Sequence, residues 1–389
     1  MQIYLDHSAT TPTRAEAIDT MHQVLMSGWG NPSSIHQWGE RASTAIEQAR
    51  FQVAASINAN PDAIAFTSGG TEANNQAIMG VANLYDTPQH LIISSVEHSS
   101  ISAPVRWLEH QGWQVTRLAV DQSGRVDPDD LDLAIRPNTV LVSIIYGQSE
   151  VGTIQPIAEL AAICHKYQVY FHTDAVQAAG RIAIDVQQLG IDLLSISSHK
   201  LYGPQGTGAL YIRPGLEIIP LLAGGGQEMG QRSGTQAVPQ IAGFGVAAEL
   251  ASDELVTENI RLIGLRDRLF TLLADCPTLI PTGNLLHRLP HHLSFCLNLP
   301  RSHQSEPITG KTIVRHLNLA GIGISAGAAC ASGKLTPSPI LVAMGYSQTD
   351  AVGGIRITLG KSTTAADIDW TAMVLKQILD QLIPKLVHA

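Results

Sequence analysis

Between about residue 60 and residue 215, short β-rich runs alternate with longer stretches whose apolar positions recur at helical spacing. Ile64–Ser68, Leu91–Ser95, Trp113–Val120, Thr139–Tyr146, Val169–Thr173, Leu193–Ser197 and Gly208–Ile212 read as strands. Thr71–Tyr85, Ser99–Gln111 and Ile157–Tyr167 read as helices among them. Strands that alternate with helices predict βαβ units and an α/β fold, with a mostly parallel sheet covered on both faces. After about residue 250 the pattern changes. A long helical segment, Asp253–Leu273, leads to shorter strands near Ser294–Asn298, Ile322–Ser325 and Ile355–Leu359, and a helix over Ala365–Leu386 follows. This predicts a large domain over 15–252 and a smaller α+β domain made of 1–14 and 253–389. Between His287 and His303 the chain is least regular, because Pro290 and Pro300, with Pro307 just beyond, break any long element.

Composition narrows the function classes. With 24 basic against 33 acidic residues the chain carries −9 and shows no basic run, which argues against a nucleic-acid partner. No stretch of 18 apolar residues is present, so no membrane span is expected. The N-terminal residues, Met1 to Asp6, show neither a secretory nor a transit pattern. Cys164, Cys276, Cys296 and Cys330 are far apart and lack CxxC spacing, so neither a disulfide framework nor a zinc site is predicted. A cytoplasmic protein without a metal is the expectation.

Ser197-Ser198-His199-Lys200 ends a strand and precedes a Gly-rich stretch from Leu201 to Gly208. The carboxyl ends of strands in open α/β sheets face the ligand crevice. A lysine there is partly desolvated, which lowers its pKa and lets the neutral amine attack an aldehyde; a solvated surface lysine is the alternative. Asp174 follows the strand Val169–Thr173. A buried carboxylate beside a pyridine nitrogen keeps that nitrogen protonated, although Asp at a strand end also serves as a turn cap. Gln177, one turn on, is placed to reach the same ring's 3′-oxygen. Gly69-Gly70-Thr71-Glu72-Ala73-Asn74 follows a strand and opens a helix, where backbone N–H groups and the helix dipole suit a phosphate. An ordinary capped turn is the alternative there. Together these groups predict pyridoxal 5′-phosphate (PLP) held on Lys200 as a Schiff base.

The chain resembles the cysteine desulfurases, in the branch of class-V aminotransferase-like PLP enzymes that feeds iron–sulfur cluster assembly. The resemblance rests on Tyr4-Leu5-Asp6-His7-Ser8-Ala9-Thr10-Thr11-Pro12, Asn31-Pro32-Ser33-Ser34-Ile35-His36, Thr67 to Glu72 and Glu97-His98. It continues through His172-Thr173-Asp174-Ala175-Val176-Gln177, Ser197 to Lys200, Arg232-Ser233-Gly234-Thr235, Gly327 to Ser332 around Cys330, and Arg356 to Gly360. It implies the type I fold of PLP-dependent transferases and a homodimer. It also implies that Lys200 carries the cofactor and moves protons, Asp174 pairs with the ring nitrogen, and Gln177 and the residue at 149 serve the 3′-oxygen. Gly70, Thr71, Ser197 and His199 would hold the phosphate, with Thr235 reaching it from a second subunit. His98 would stack on the ring and assist proton transfer. Arg356, a bidentate fork suited to a carboxylate, would bind the substrate together with Asn31. Cys330, among Gly, Ala and Ser, would be the thiolate that takes sulfur from L-cysteine and leaves L-alanine, passing the persulfide to an acceptor such as an iron–sulfur scaffold. The other three cysteines lie on or near apolar runs and read as core.

One segment departs from the family pattern. Two asparagines usually precede Glu-Ile/Val-Gly, whereas this chain has Gln148-Ser149-Glu150-Val151-Gly152. Ser149 is shorter than the asparagine that normally donates to the 3′-oxygen. A PLP-dependent cystine or cysteine C–S lyase, or a selenocysteine lyase, is the nearest alternative, and a non-catalytic partner-binding paralogue is a second. Gly321-Ile322-Gly323-Ile324-Ser325-Ala326 spells a dinucleotide fingerprint, but its glycines precede a strand. Gly360-Lys361-Ser362 lacks the first glycine of a phosphate loop, and Pro290 spoils a helical metal face between His287 and His291.

Overall fold

A computed structural model describes residues 2–298, 308–327 and 336–382. The first half contains β1 (Ile3–Tyr4), α1 (Ala15–Ser27), α2 (Gln37–Ala55), β2 (Ile64–Thr67), α3 (Gly70–Ala82), β3 (His90–Ser94), α4 (Ser99–His110) and β4 (Gln114–Leu118). It continues through α5 (Pro128–Ala134), β5 (Thr139–Ser143), α6 (Ile157–Lys166), β6 (Tyr170–Asp174), β7 (Leu193–Ser197) and β8 (Gly208–Ile212). The second half holds α7 (Val238–Asp253), α8 (Leu255–Leu273), β9 (Leu279–Pro281), β10 (His292–Leu297) and α9 (Gly310–Leu319). Then come β11 (Ile322–Gly323), β12 (Ser325–Ala326), α10 (Pro339–Ala343), β13 (Gly354–Thr358) and α11 (Ala365–Leu382).

The central sheet runs β2-β8-β7-β6-β5-β3-β4. Every neighbouring pair is parallel except the two made by β8, which lies antiparallel to β2 and β7. The reversal of β8 leaves β2 pointing the same way as β7, so the carboxyl ends of six strands share one edge. All residues of β2, β3, β7 and β8 are buried, as both-face coverage requires. One face packs Ile92, Val142, Phe171 and Leu194 against α2, α6 and α7. The other packs Leu91, Ile93 and Leu141 against Ala73, Ala77, Ile78 and Val81 of α3 and Ile101, Val105 and Leu108 of α4.

A separate apolar cluster joins Ile3 and Leu5 to Leu262, Leu269, Phe295, Ile313, Ile357 and Leu375. It sits around the antiparallel sheet β12-β13-β10-β9 and the small parallel pair β1-β11. The strand expected over Ile322–Ser325 is split: Ile322 and Gly323 pair with Ile3 and Tyr4, whereas Ser325 and Ala326 pair with Arg356 and Ile355. The two halves of that run serve different sheets. Glu254 separates two helices where a single start near Asp253 is expected from the sequence. Within the irregular stretch after His287, β10 lies between β13 and β9, with all six residues buried.

Candidate active site

Lys200 follows β7 on a short 3-10 turn, Ser198–Lys200, and its amine points back to the N-terminal segment. Its Nζ donates to the carbonyl oxygens of Ser8 (2.7 Å) and Ala9 (2.6 Å). Burial, reinforced by the nearby Arg356 cation and opposed by Asp6 and Asp174, lowers its pKa to about 8. The N-terminal segment is pinned over this turn. The Thr11 N–H and hydroxyl both donate to the His199 carbonyl, and the Tyr202 N–H donates to Thr11 Oγ1. His199 Nδ1 lies 3.0 Å from Thr10 Oγ1, and burial, with Lys200 beside it, lowers the imidazole to about 4.

Asp174 closes β6, the strand next to β7. It is 3% exposed, and its oxygens accept from the Val176 N–H (3.0 Å) and the Asn74 amide (2.7 Å). Burial holds its carboxyl above the ordinary range against those donors and the nearby His98 and Lys200. Neither hydrogen-bond donor is cationic. Gln177, in the turn after β6, donates to the Ser8 carbonyl at 2.9 Å.

Between β2 and α3 the chain turns at Gly69, with φ +150°. Ala73 N–H is bonded back to Gly69 O, so the N–H groups of Gly70, Thr71 and Glu72 belong to the open first turn. Gly70 is required here by contact: a Cβ would lie 2.6 Å from Val176 Cγ2. The turn after β6 and the start of α3 therefore approach closely. Gly70, Thr71, Asp174, Gln177, His199 and Lys200 line one cavity, and His98, Ser149, Asn74, Ser100, Ile145 and Val176 complete it.

The structure thus brings together most residues singled out by sequence, with exceptions. Ser197 is buried behind Gly70, 3.4 Å from that hypothetical Cβ, and is not part of the cavity wall. Asn31 is exposed between α1 and α2, its Oδ1 accepting from the Ser33 N–H, and Thr235 is exposed as well. Neither lines the cavity. Arg356, on β13, donates to the Ser149 carbonyl (2.9 Å) and to Asp6 Oδ1 (2.7 Å), which places it beside the cavity rather than in its wall. Cys330 lies outside the described residues. Burial raises the other three thiols, and it brings Cys296 to about 12. A thiol so raised is a poor nucleophile.

Gln148 builds the turn on which Ser149 sits. Its side-chain oxygen accepts from the Glu150 and Val151 N–H groups, and its amide donates to the Val96 carbonyl. The Ser149 carbonyl is held from a second side by His292 Nε2 at 3.1 Å. Burial pushes the two acids flanking the cavity turns, Glu97 and Glu150, up to about 8 and about 7. Asn74 and Ser100 were not assigned a role from sequence. Asn74 lies four residues after Gly70 on α3, a spacing that puts both on one face and is the signal that could have found it.

Residues 3–370 match the family of class-V aminotransferases. A cysteine desulfurase IscS from Dictyoglomus turgidum is 46% identical over 383 residues, spanning 98% of this chain and 95% of the relative. A cysteine desulfurase IscS from Methanosarcina thermophila is 44% identical over 381 residues, spanning 98% of this chain and 92% of the relative. Among solved structures, one described as a NifS-like protein superposes with a TM-score of 0.89 at 34% identity, covering 98% of this chain and 99% of its own.

Proposed function

The chain belongs to the class-V aminotransferase family, and from that premise we propose that it is a PLP-dependent cysteine desulfurase that converts L-cysteine to L-alanine. Its fold is that of the type I PLP-dependent transferases. The reading is carried by one observation: Asp174 ends β6, Lys200 follows the neighbouring parallel β7, and both line one cavity with the open first turn of α3. The donor set fits PLP. First-turn N–H groups at Gly70 and Thr71 suit a phosphate, an amine of lowered pKa suits an aldehyde, and a buried carboxylate with no cationic hydrogen-bond donor among the described residues suits a protonated ring nitrogen. A buried Asn74 Oδ1 with no partner among the described residues adds a further polar atom to that wall.

When bound, PLP supplies an electron sink conjugated to the substrate Cα. Lys200 Nζ holds the cofactor and moves the Cα proton, and the lowered pKa keeps much of the amine neutral near pH 8. Asp174 would stabilise positive charge at the ring nitrogen, and Gln177 and Ser149, which line the same cavity, would serve the 3′-oxygen. His199 helps to hold the phosphate, and His98, at the cavity mouth, assists proton transfer. Arg356 orients the substrate carboxylate, with Asn31 as a second substrate contact; the buried Arg356 Nε has no partner among the described residues. Cys330 Sγ attacks the substrate sulfur. An S–S bond forms, the Cβ–S bond breaks, and the electron pair left on the substrate ends in a C–H bond of alanine.

The enzyme works as a homodimer in the cytoplasm, where Thr235 of each copy serves the other's phosphate site and an iron–sulfur scaffold takes the persulfide. No helix among the described residues is long and apolar enough to cross a membrane. Alanine formation and sulfur transfer from L-cysteine, compared in wild type and Cys330→Ala, test this reading. Alanine from the wild type and loss of transfer in the variant are expected. A variant that continues to release sulfide together with pyruvate would indicate β-lyase chemistry instead.

A further inference from the structure

Within the cavity wall, four side chains from three segments form an unbroken line of hydrogen bonds. The Asn74 amide nitrogen donates to Asp174 Oδ2 at 2.7 Å and to Ser100 Oγ at 2.8 Å. Ser100 Oγ lies 2.7 Å from His98 Nδ1. His98 is the N-cap of α4, and its Nδ1 also accepts the backbone N–H of Ser100 at 3.2 Å. Asn74 is 1% and Ser100 6% exposed, so the two Asn74 bonds are shielded from bulk water, while His98 at the end of the line is exposed.

The direction of each hydrogen follows from the one before it. Paired with the protonated ring nitrogen of a bound cofactor, Asp174 is ionised and accepts only, so the Asn74 amide presents nitrogen rather than oxygen to it. The second hydrogen of that nitrogen then occupies a lone pair of Ser100 Oγ. With its oxygen filled from that side, the Ser100 hydroxyl turns its own hydrogen to His98 Nδ1. The backbone N–H of Ser100 points at the same atom. Two donors converging on Nδ1 leave it no room for a hydrogen in the neutral ring, so the proton of neutral His98 sits on Nε2.

We propose that Ser100 is a positioning residue which, through Asn74, fixes His98 in the Nε2-protonated tautomer and ties that choice to the charge on Asp174. This rests on reading the cavity as the cofactor site. The group paired with the ring nitrogen and the group at the cavity mouth are then one hydrogen-bonded unit rather than two independent contacts. His98 always offers the same nitrogen, with its hydrogen, away from α4. Removing the hydroxyl leaves the weaker backbone contact as the sole restraint on Nδ1 and strands one Asn74 hydrogen in a buried place.

Holoenzyme labelled with ¹⁵N-histidine tests the proposal, with the His98 signals assigned by their loss in His98→Gln. Wild type is expected to show, wherever the ring is neutral, an unprotonated, pyridine-type Nδ1 and a protonated, pyrrole-type Nε2. Ser100→Ala is expected to give averaged signals for the two nitrogens and a fall in kcat of about three- to tenfold with KM for cysteine unchanged. Ser100→Thr, which keeps the hydroxyl, is expected to restore both. If Ser100→Ala fails to fold, Ser100→Cys keeps the size while replacing the strong donor and gives the same comparison. A His98 spectrum in the alanine or cysteine variant that superimposes on wild type overturns the proposal, and so does a threonine variant as impaired as alanine. The spectrum reports on the relay even if the protein proves inactive towards cysteine, so the failure of the functional reading is distinguishable from failure of this one.

Discussion

Replacing Glu228 with glutamine removes one charge from the most deeply buried ion pair among the described residues, and its cost can be worked out in advance. Arg50 of α2 meets Glu228 through two bonds, Nη1 to Oε2 at 2.6 Å and Nη2 to Oε1 at 3.2 Å, and the side chains are 5% and 1% exposed. Glu228 Oε2 also accepts the Phe66 N–H, and Arg50 Nη1 donates to the Ile64 carbonyl. Both contacts fall on β2, the strand that delivers the chain to Gly69 and Gly70. The other carboxylate on Arg50, Glu47, is 60% exposed and screened by solvent. Breaking a buried pair at one end costs about 3–5 kcal/mol, because the remaining charge stays desolvated. With an unfolding entropy of about 2 cal/mol/K per residue, this chain of 389 residues should melt about 4–6 °C lower. Removing both charges, in Arg50→Met with Glu228→Gln, should cost clearly less than the sum of the two single changes. Circular dichroism melts of the cofactor-saturated proteins give the cycle. A single variant within about 1 °C of wild type, or strict additivity in the double, would refute the reasoning.

Two further outcomes follow from the cavity. Because burial lowers Lys200 to about 8, the cofactor-free protein should capture PLP faster as pH rises, with a midpoint near 8; a midpoint in the ordinary lysine range near 10.5 would show that the amine is solvated. Below that midpoint the amine is protonated and cannot attack the aldehyde, so the sign of the dependence is fixed. Ser149→Asn adds a donor to the cavity wall, while the backbone carbonyl of residue 149 stays held by Arg356 and His292. The pH titration of the bound cofactor's absorbance should therefore shift without loss of binding, and superimposable titrations would remove any significance from the departure at this position.

The central sheet was legible because its strands are short, apolar and punctuated. Gly208–Ile212 is read from sequence with the ends the structure gives it, and Leu193–Ser197 likewise. Direction was less legible: nothing in Gly208–Ile212 itself says that it runs against its neighbours, a fact fixed by the short Lys200 loop joining it to β7. Neither α1 nor α2 was read from the sequence, and of α1 only Ala17 and Val24 are buried. The buried face of α2 includes Arg50 and Gln52 beside Ala42, Ile46, Ala49 and Val53, and the polar pair satisfies itself through Glu228 and Glu249. In the site, Lys200 and Asp174 were visible because strand ends in an α/β sheet converge on one edge. Asn74 and Ser100 were not, because their roles depend on partners 100 and 26 residues away along the chain.

Everything proposed for this cavity depends on where the cofactor is attached. Reducing the cofactor-saturated protein with borohydride, digesting it and mapping the peptides by mass locates that atom directly. The expected result is a phosphopyridoxyl group on the peptide containing Lys200 and on no other. Label found on a different lysine, or absent altogether from saturated protein, would contradict the assignment of the site.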